Sequence, residues 1–87
     1  MQHNLKILPE YYLELVSGAK TFELRKDNRN YQIGDTVVFS ILNSDGIITP
    51  SNTIWKITYV IRGGQYGLDK EYCIFSLIPV LPEGGVD

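Results

Sequence analysis

The sequence has few of the residues that small proteins use for disulfides, metal sites and membrane anchors. Cys73 is the only cysteine, so no internal disulfide forms, and with His3 as the only histidine a zinc site of the usual kind is excluded. No apolar run approaches the ~20 residues of a bilayer span, and the opening Met-Gln-His-Asn lacks the apolar stretch of a secretory signal. We therefore expect a cytoplasmic protein with no membrane contact, no structural metal and no cofactor.

An excess of positive charge is also absent. Eight Lys and Arg stand against ten Asp and Glu, for a net charge of −2. Proteins that coat nucleic acid without specificity are usually basic throughout, because phosphate neutralisation dominates their affinity. This composition excludes such a coating protein, so any contact with nucleic acid must be local.

The hydrophobic pattern predicts one short helix among several strands. Alternation over 3–8 predicts a strand, and Pro9 then suits the first turn of a helix that ends at Gly18. Within that helix, residues at helical spacing predict the docking face: Tyr12, Leu15 and Val16. Period-two alternation then predicts strands at 21–25, 36–42, 54–62 and 72–78.

One N-terminal helix and about five mostly antiparallel strands are too little for a doubly wound α/β fold. We expect an α+β fold in which a curled sheet or small β-barrel is capped by the helix, because closure removes exposed strand edges. Residues 1–80 would form this single domain, and 81–87 a frayed tail. Pro50-Ser51-Asn52 is expected in a loop.

The alternation also predicts which side chains share a face. Phe22 and Leu24 fall on one face of their strand and are expected in the core. Glu23 and Arg25 fall on the opposite face, where they pair or point together into a cleft. In the longest strand one face is predicted to carry Trp55, Ile57, Tyr59 and Ile61.

Positive charge is concentrated between Lys20 and Arg29. This stretch has four Lys and Arg against Glu23 and Asp27, a local net charge of +2, whereas the rest of the chain has −4. Such an island on an acidic body suits an anion site for a few phosphates, with Arg25 or Arg29 as a bidentate fork and Lys20 as a point charge. The alternative is a solvated strand edge whose lysines oppose aggregation.

The residues Gly18-Ala19-Lys20-Thr21-Phe22-Glu23-Leu24-Arg25 resemble the G-x-K-x-x-E-x-R signature of the ASCH superfamily. With the flanking segments 5–9, 20–31 and 57–61 and with Gly63-Gly64, the chain resembles a small bacterial and phage family of uncharacterised ASCH-like proteins. The resemblance covers the chain roughly to Ile78.

This resemblance implies a PUA-like β-barrel, a fold shared with RNA-modification and RNA-recognition domains. It implies that RNA or a nucleotide is bound in a cleft beside the helix by the motif residues Gly18, Lys20, Glu23 and Arg25. The rim of that cleft is expected to include Lys26, Arg29, Gly64 and Tyr66.

Two other functions stay open. Some ASCH proteins are amidohydrolases of acetylated cytidine that use a lysine, a threonine and a glutamate. Lys20 matches that lysine, but Glu23 stands where the threonine belongs, Thr21 is displaced by two, and Glu71 is the only suggestion for the glutamate. The other alternative is a protein-interaction domain with a solvated charged face. The sequence favours a binding module over an enzyme.

Two further features have both a functional and a structural interpretation. The loop 63–67 offers backbone N–H groups to a ligand, and a plain connection between strands is an equal alternative. Tyr31, Tyr66 and Tyr72 offer stacking surfaces, although tyrosines in a small barrel are more often half-buried core residues. Cys73, on an apolar strand face, is expected to be a buried and unreactive thiol.

Overall fold

The computed structural model describes residues 1–81, so the expected tail lies outside the described residues from Pro82 onward. Within this range the chain forms one helix and five strands. Their bounds are β1 Gln2–Ile7, α1 Pro9–Ser17, β2 Phe22–Lys26, β3 Thr36–Leu42, β4 Ile48–Arg62 and β5 Tyr72–Val80. In these residues no helix has both the length and the apolar character that crossing a membrane requires.

The five strands form one mixed sheet in the order β1-β3-β4-β5-β2. β1 pairs with β3 in parallel, and the other three pairings are antiparallel. The sheet curls until side chains that follow or belong to β2 reach the backbone of β1, at Lys6 and Asn4. The gap between these two end strands is called the seam below. The α+β barrel-like architecture expected from the sequence is therefore confirmed at this level.

The core lies on the concave side of the sheet, under the helix. Its fully buried members are Tyr31, Val37, Phe39, Ile57, Cys73 and Phe75. The helix docks through buried Leu15 and through Tyr12, whose ring meets Phe39 edge-on at 5.9 Å between centroids. Val16 is exposed, so its predicted place on the docking face is wrong. Leu15 is the one buried residue of this nine-residue helix.

The helix ends are those that the sequence predicted. Leu8 is the N-cap and Pro9 follows in the first turn, where its missing N–H costs nothing. Gly18 adopts a left-handed φ of 85°, and the following turn lets the Lys20 N–H donate to the Glu14 carbonyl at 3.0 Å. This turn delivers Lys20 directly to the start of β2.

The faces of β2 are the reverse of the expected arrangement. Glu23 is only 3% exposed, whereas Phe22 is 46% and Leu24 is 54% exposed. The alternation itself is present, but the charged face points to the concave side. A carboxylate tolerates this position because Lys20 and Arg25 compensate its charge.

β4 departs from the sequence-based expectation in two places. It begins at Ile48, so the expected loop around Pro50 is strand. There β4 pairs only with β3 and is an edge strand, a position at which sheets tolerate proline. A register shift between Ile57 and Tyr59 then inserts an extra residue. Tyr59 is therefore turned outward, 60% exposed, and Val60 packs against the core in its place.

Candidate functional site

Three charged side chains of the predicted motif meet at β2. Lys20 Nζ donates to Glu23 Oε1 at 2.7 Å, and Arg25 Nε donates to Glu23 Oε2 at 2.8 Å. The spacing follows from the chain: Glu23 and Arg25 share a strand face, and the turn after Gly18 places Lys20 beside them. Glu23 is nearly inaccessible, while Lys20 and Arg25 retain about a fifth of their exposure, so the group presents positive charge outward.

Arg25 also connects the two end strands of the sheet. Its Nη2 donates to the Lys6 carbonyl of β1 at 2.8 Å, and its Cζ lies 6.0 Å from the ring centroid of Phe39. With Nε on Glu23 and Nη2 on Lys6, the planar guanidinium is fixed in orientation. The buried carboxylate and the β1 carbonyl together hold this side chain across the seam.

A cleft of about 430 Å³, called the first cleft, opens over this group. Tyr11 and Phe22 contribute half-exposed aromatic surface, and Lys20 Nζ lies 4.9 Å from the Tyr11 ring centroid and 5.8 Å from that of Phe22. The full lining is Lys6, Ile7, Leu8, Tyr11, Lys20, Phe22, Glu23, Leu24 and Arg25. Aromatic surface beside oriented donors suits a flat, polar ligand.

A second cleft, of about 370 Å³, adjoins the first and shares Lys6 and Arg25 with it. Its other lining residues are Asn4, Leu5, Lys26, Asn28, Arg29 and Tyr31. Both volumes fall in the range of small-molecule sites, roughly 300–1,000 Å³. The seam therefore carries two adjacent concavities that meet at Lys6 and Arg25.

Asp27, the second acidic residue of the positive stretch, is directed away from the clefts. Asp27 Oδ1 accepts a hydrogen bond from Arg62 Nη1 at 2.8 Å, and Arg62 also donates to the Tyr31 carbonyl. Asp27 lines neither cleft. Its ion-pair partner is an arginine from β4 and not one of the cations of the seam.

The structure brings together part of the predicted site. Lys20, Glu23 and Arg25 line the first cleft, and the predicted rim residues Lys26 and Arg29 line the second. The other predicted ligand-facing or reacting residues line neither cleft: Gly18, Thr21, Gly64, Tyr66 and Glu71. Gly18 acts instead as the helix terminator that positions Lys20.

The tyrosines differ in accessibility. Tyr66 is 90% exposed on its loop, and Tyr72 is partly buried in β5. Tyr31 is buried, 4.7 Å from the His3 ring and 4.6 Å from the Phe75 ring between centroids, so it is no stacking platform. Burial raises the pKa of Tyr31 although Arg29 and Arg25 oppose this shift, so the phenol adds no negative charge to the second cleft at neutral pH.

Lys6 and Tyr11 are among the cleft residues that escaped the sequence analysis. Lys6 looks like an ordinary solvent-facing residue of an alternating strand, and Tyr11 lies next to the docking residue Tyr12. Neither stands near Lys20 or Arg25 in the chain. Only the closure of the sheet and the return of the chain after the helix bring them to the motif.

The lone histidine has a structural partner. His3 is buried, and its Nε2 lies 2.8 Å from Asp35 Oδ2, which also accepts the Gln32 N–H at 3.0 Å; the Met1 amino group reaches Oδ1 at 3.1 Å. Burial alone would raise the pKa of Asp35, but these hydrogen bonds outweigh it and hold the pKa below its ordinary value. His3 thus anchors the start of β1 to the turn before β3.

Cys73 is a core residue, as predicted. It is fully buried, and burial, reinforced by the nearby Asp27, raises the pKa of its thiol. A thiol that stays protonated at neutral pH is a poor nucleophile. Its place is in the packing of β5.

The fold and the site together define the class of this protein as a small α+β half-barrel with a cationic seam. Residues 2–77 match a family described as a domain of unknown function (DUF3850), and the chain belongs to this family. A solved structure, the crystal structure of hypothetical protein PH0355, is similar with a TM-score of 0.61 and 13% identity over 92% of this chain and 100% of that chain. At this identity the likeness concerns the fold alone. No curated protein matches the sequence.

Proposed function

We propose that this protein is a PUA-like domain of the ASCH superfamily that binds RNA or a nucleotide in the first cleft. The observation that carries the proposal is the convergence of Lys20, Glu23 and Arg25 on one concavity. These are the charged positions of the G-x-K-x-x-E-x-R signature. Convergence supports a ligand-binding role, because a merely solvated edge gives no reason to bury the acid between its two cations.

Each residue of the group has a distinct task in binding. Glu23 has both carboxylate oxygens engaged and is nearly inaccessible, so its task is to orient Lys20 and Arg25. The Lys20 ammonium has N–H donors that Glu23 does not use, and the Nη1 group of Arg25 is used by neither Glu23 nor Lys6. Both side chains can therefore donate hydrogen bonds to a ligand. These donors suit the carbonyl and ring-nitrogen acceptors of a nucleobase or a phosphate oxygen.

Tyr11 and Phe22 supply the apolar part of the contact. Both rings are half exposed at the first cleft beside the Lys20 ammonium. Base–aromatic stacking contributes about 1–3 kcal/mol per base and depends little on base identity. A base accessible in a single strand or a free nucleotide fits this site better than a base inside a duplex.

Binding of a labelled, short single-stranded RNA, followed by fluorescence anisotropy at two salt concentrations, tests the proposal. We expect Lys20→Gln and Arg25→Gln each to weaken binding about tenfold or more, because a hydrogen bond to a charged group contributes about 1.5–3 kcal/mol. Lys70→Gln is the matched control, since Lys70 is exposed and outside both clefts. Micromolar or tighter binding that neither cleft variant changes would refute the proposal.

The amidohydrolase alternative has less support. The Lys20 ammonium is paired with Glu23, and neither Thr21 nor Glu71 lines a cleft, so a reacting lysine with a threonine and a second carboxylate is not assembled around Lys20. Incubation with acetylated cytidine would test it directly, and release of free cytidine would restore it.

A further inference from the structure

The second cleft concentrates positive charge with no carboxylate in its lining. Four of the chain's eight Lys and Arg line it, Lys6, Arg25, Lys26 and Arg29, in a protein whose net charge is −2. Like charges drawn into one concavity repel one another, and an anion between them relieves this repulsion. The arrangement therefore favours a negatively charged occupant.

The protein itself supplies little compensation for these cations. Among residues 1–81, neither Lys26 nor Arg29 forms a salt bridge, and Asp27 is held by Arg62. Glu23 reaches only the Nε side of Arg25, from the first cleft. The second cleft thus keeps its positive charge in the folded state.

Backbone carbonyls of β1 orient two of the guanidinium groups. Asn4 and Lys6 are two residues apart, so both carbonyls point to the seam edge; they accept from Arg29 Nη1 at 3.3 Å and Arg25 Nη2 at 2.8 Å. The two arginines therefore lie side by side along the seam with N–H groups to spare. Paired arginine forks are well suited to phosphate oxygens.

We propose that the second cleft is a phosphate subsite, so that the ligand is a phosphorylated nucleotide whose base occupies the first cleft and whose phosphate lies across Arg25 in the second. The base assignment rests on the proposed function, whereas the phosphate subsite stands on the charge and geometry of the second cleft. Lys26 and Arg29 then belong to the binding site itself, and an unphosphorylated nucleoside engages only half of it.

Calorimetric titration with adenosine and with adenosine monophosphate tests this inference. We expect the wild-type protein to bind the monophosphate at least about tenfold more tightly than the nucleoside, since one charge-assisted contact contributes that much. The double variant Lys26→Gln/Arg29→Gln should lose this advantage and keep its affinity for adenosine. The matched control Lys56→Gln/Lys70→Gln changes the net charge equally at exposed positions outside both clefts and should keep the advantage.

Equal binding of the two ligands by the wild type would overturn the phosphate subsite and leave base binding intact. An equal loss of the monophosphate's affinity advantage in both double variants would also overturn it, because the loss would then be a general effect of net charge. If neither adenosine compound nor single-stranded RNA binds, the proposed function fails, and inorganic phosphate decides the inference. Amide NMR shifts at Asn28 and Arg29 on addition of inorganic phosphate would support the subsite if the Lys26→Gln/Arg29→Gln variant abolishes them. Absence of these shifts in the wild-type protein would overturn it.

Discussion

At the scale of single residues, Glu23 determines the form of the candidate site. Its buried carboxylate holds Lys20 on one oxygen and Arg25 on the other. Burying a charge costs several kcal/mol unless it is paired and hydrogen-bonded, and here both oxygens are satisfied. Removing the charge leaves two neighbouring cations without their common counterion.

We therefore predict that Glu23→Gln lowers the free energy of unfolding by about 1–3 kcal/mol and also weakens RNA binding. Urea unfolding measures the first effect and anisotropy the second. Glu71→Gln is the matched control, because Glu71 is exposed and its carboxylate has no hydrogen-bond partner among the described residues. A Glu23→Gln protein as stable as this control would contradict the structural role of the carboxylate.

Asp35 is the second buried acid, and its effect depends on pH. Because its pKa is lower folded than unfolded, it stabilises the fold at pH values above its unfolded pKa, and this contribution is lost as the pH falls through the folded pKa. We predict that the unfolding free energy drops as the pH falls below about 4, the ordinary aspartate pKa. Urea unfolding across this range measures the drop.

The Asp35→Asn variant should show a smaller acid-induced loss and be less stable at neutral pH by about 1–3 kcal/mol. Asp45→Asn serves as the control, since Asp45 is exposed and should retain the wild-type pH profile. Identical profiles for the wild type and Asp35→Asn would show that another group causes the acid sensitivity.

At the scale of elements, the sequence predicted the helix, with its proline start and glycine end, and the positions of β3 and β5 closely. It predicted which β2 residues share a face but not which face turns inward. Hydrophobicity favoured Phe22 and Leu24 for the core, because alternation says nothing about ion pairing with residues outside the strand. The inversion follows from Lys20 and Arg25 compensating Glu23.

The register shift in β4 gives a prediction that separates the expected from the observed faces. Val60 packs against the core after the extra residue, while Tyr59 is turned to solvent. We predict that Val60→Ala lowers the unfolding free energy by about 1–2 kcal/mol, as the loss of partly buried methyl groups does. Tyr59→Ala should change it by less than about 0.5 kcal/mol.

Thermal or urea unfolding of these two variants compares the faces directly. A larger loss for Tyr59→Ala than for Val60→Ala would support uninterrupted alternation and contradict the register shift. Period-two counting could not reveal the shift, because the residues around Thr58 fit an uninterrupted strand equally well. Only pairing with β5 reveals it.

At the scale of the whole molecule, the candidate site depends on the closure of the sheet. The motif identified Lys20, Glu23 and Arg25 because they are close in sequence. Lys6 could not be predicted, since it reaches the site only when β1 and β2, at opposite ends of the strand order, approach across the seam. Tyr11 reaches the site only because the chain turns back after α1. The arginine contacts with the β1 carbonyls are likewise long-range.

Closure also separates the charges of this acidic protein. The seam gathers cations in two adjacent clefts, while Asp27 and Asp35 are engaged with Arg62 and His3 elsewhere. We expect the affinity for RNA to fall only modestly as the salt concentration rises, because this surface contacts only a few phosphates. Each contacted phosphate contributes about −0.7 to the slope of the logarithm of the binding constant against the logarithm of the salt concentration. A slope typical of a long basic surface would not fit so local a site.

The most direct test of the central claim is an amide NMR titration of the isotope-labelled protein with a short single-stranded RNA. The account predicts that shift changes concentrate at the seam, in residues 4–8 and 20–29, and that loops 43–47 and 63–68 stay nearly unchanged. Changes concentrated instead in those loops, or on the outer face around Tyr59 and Ile78, with the seam unaffected, would contradict binding in the clefts.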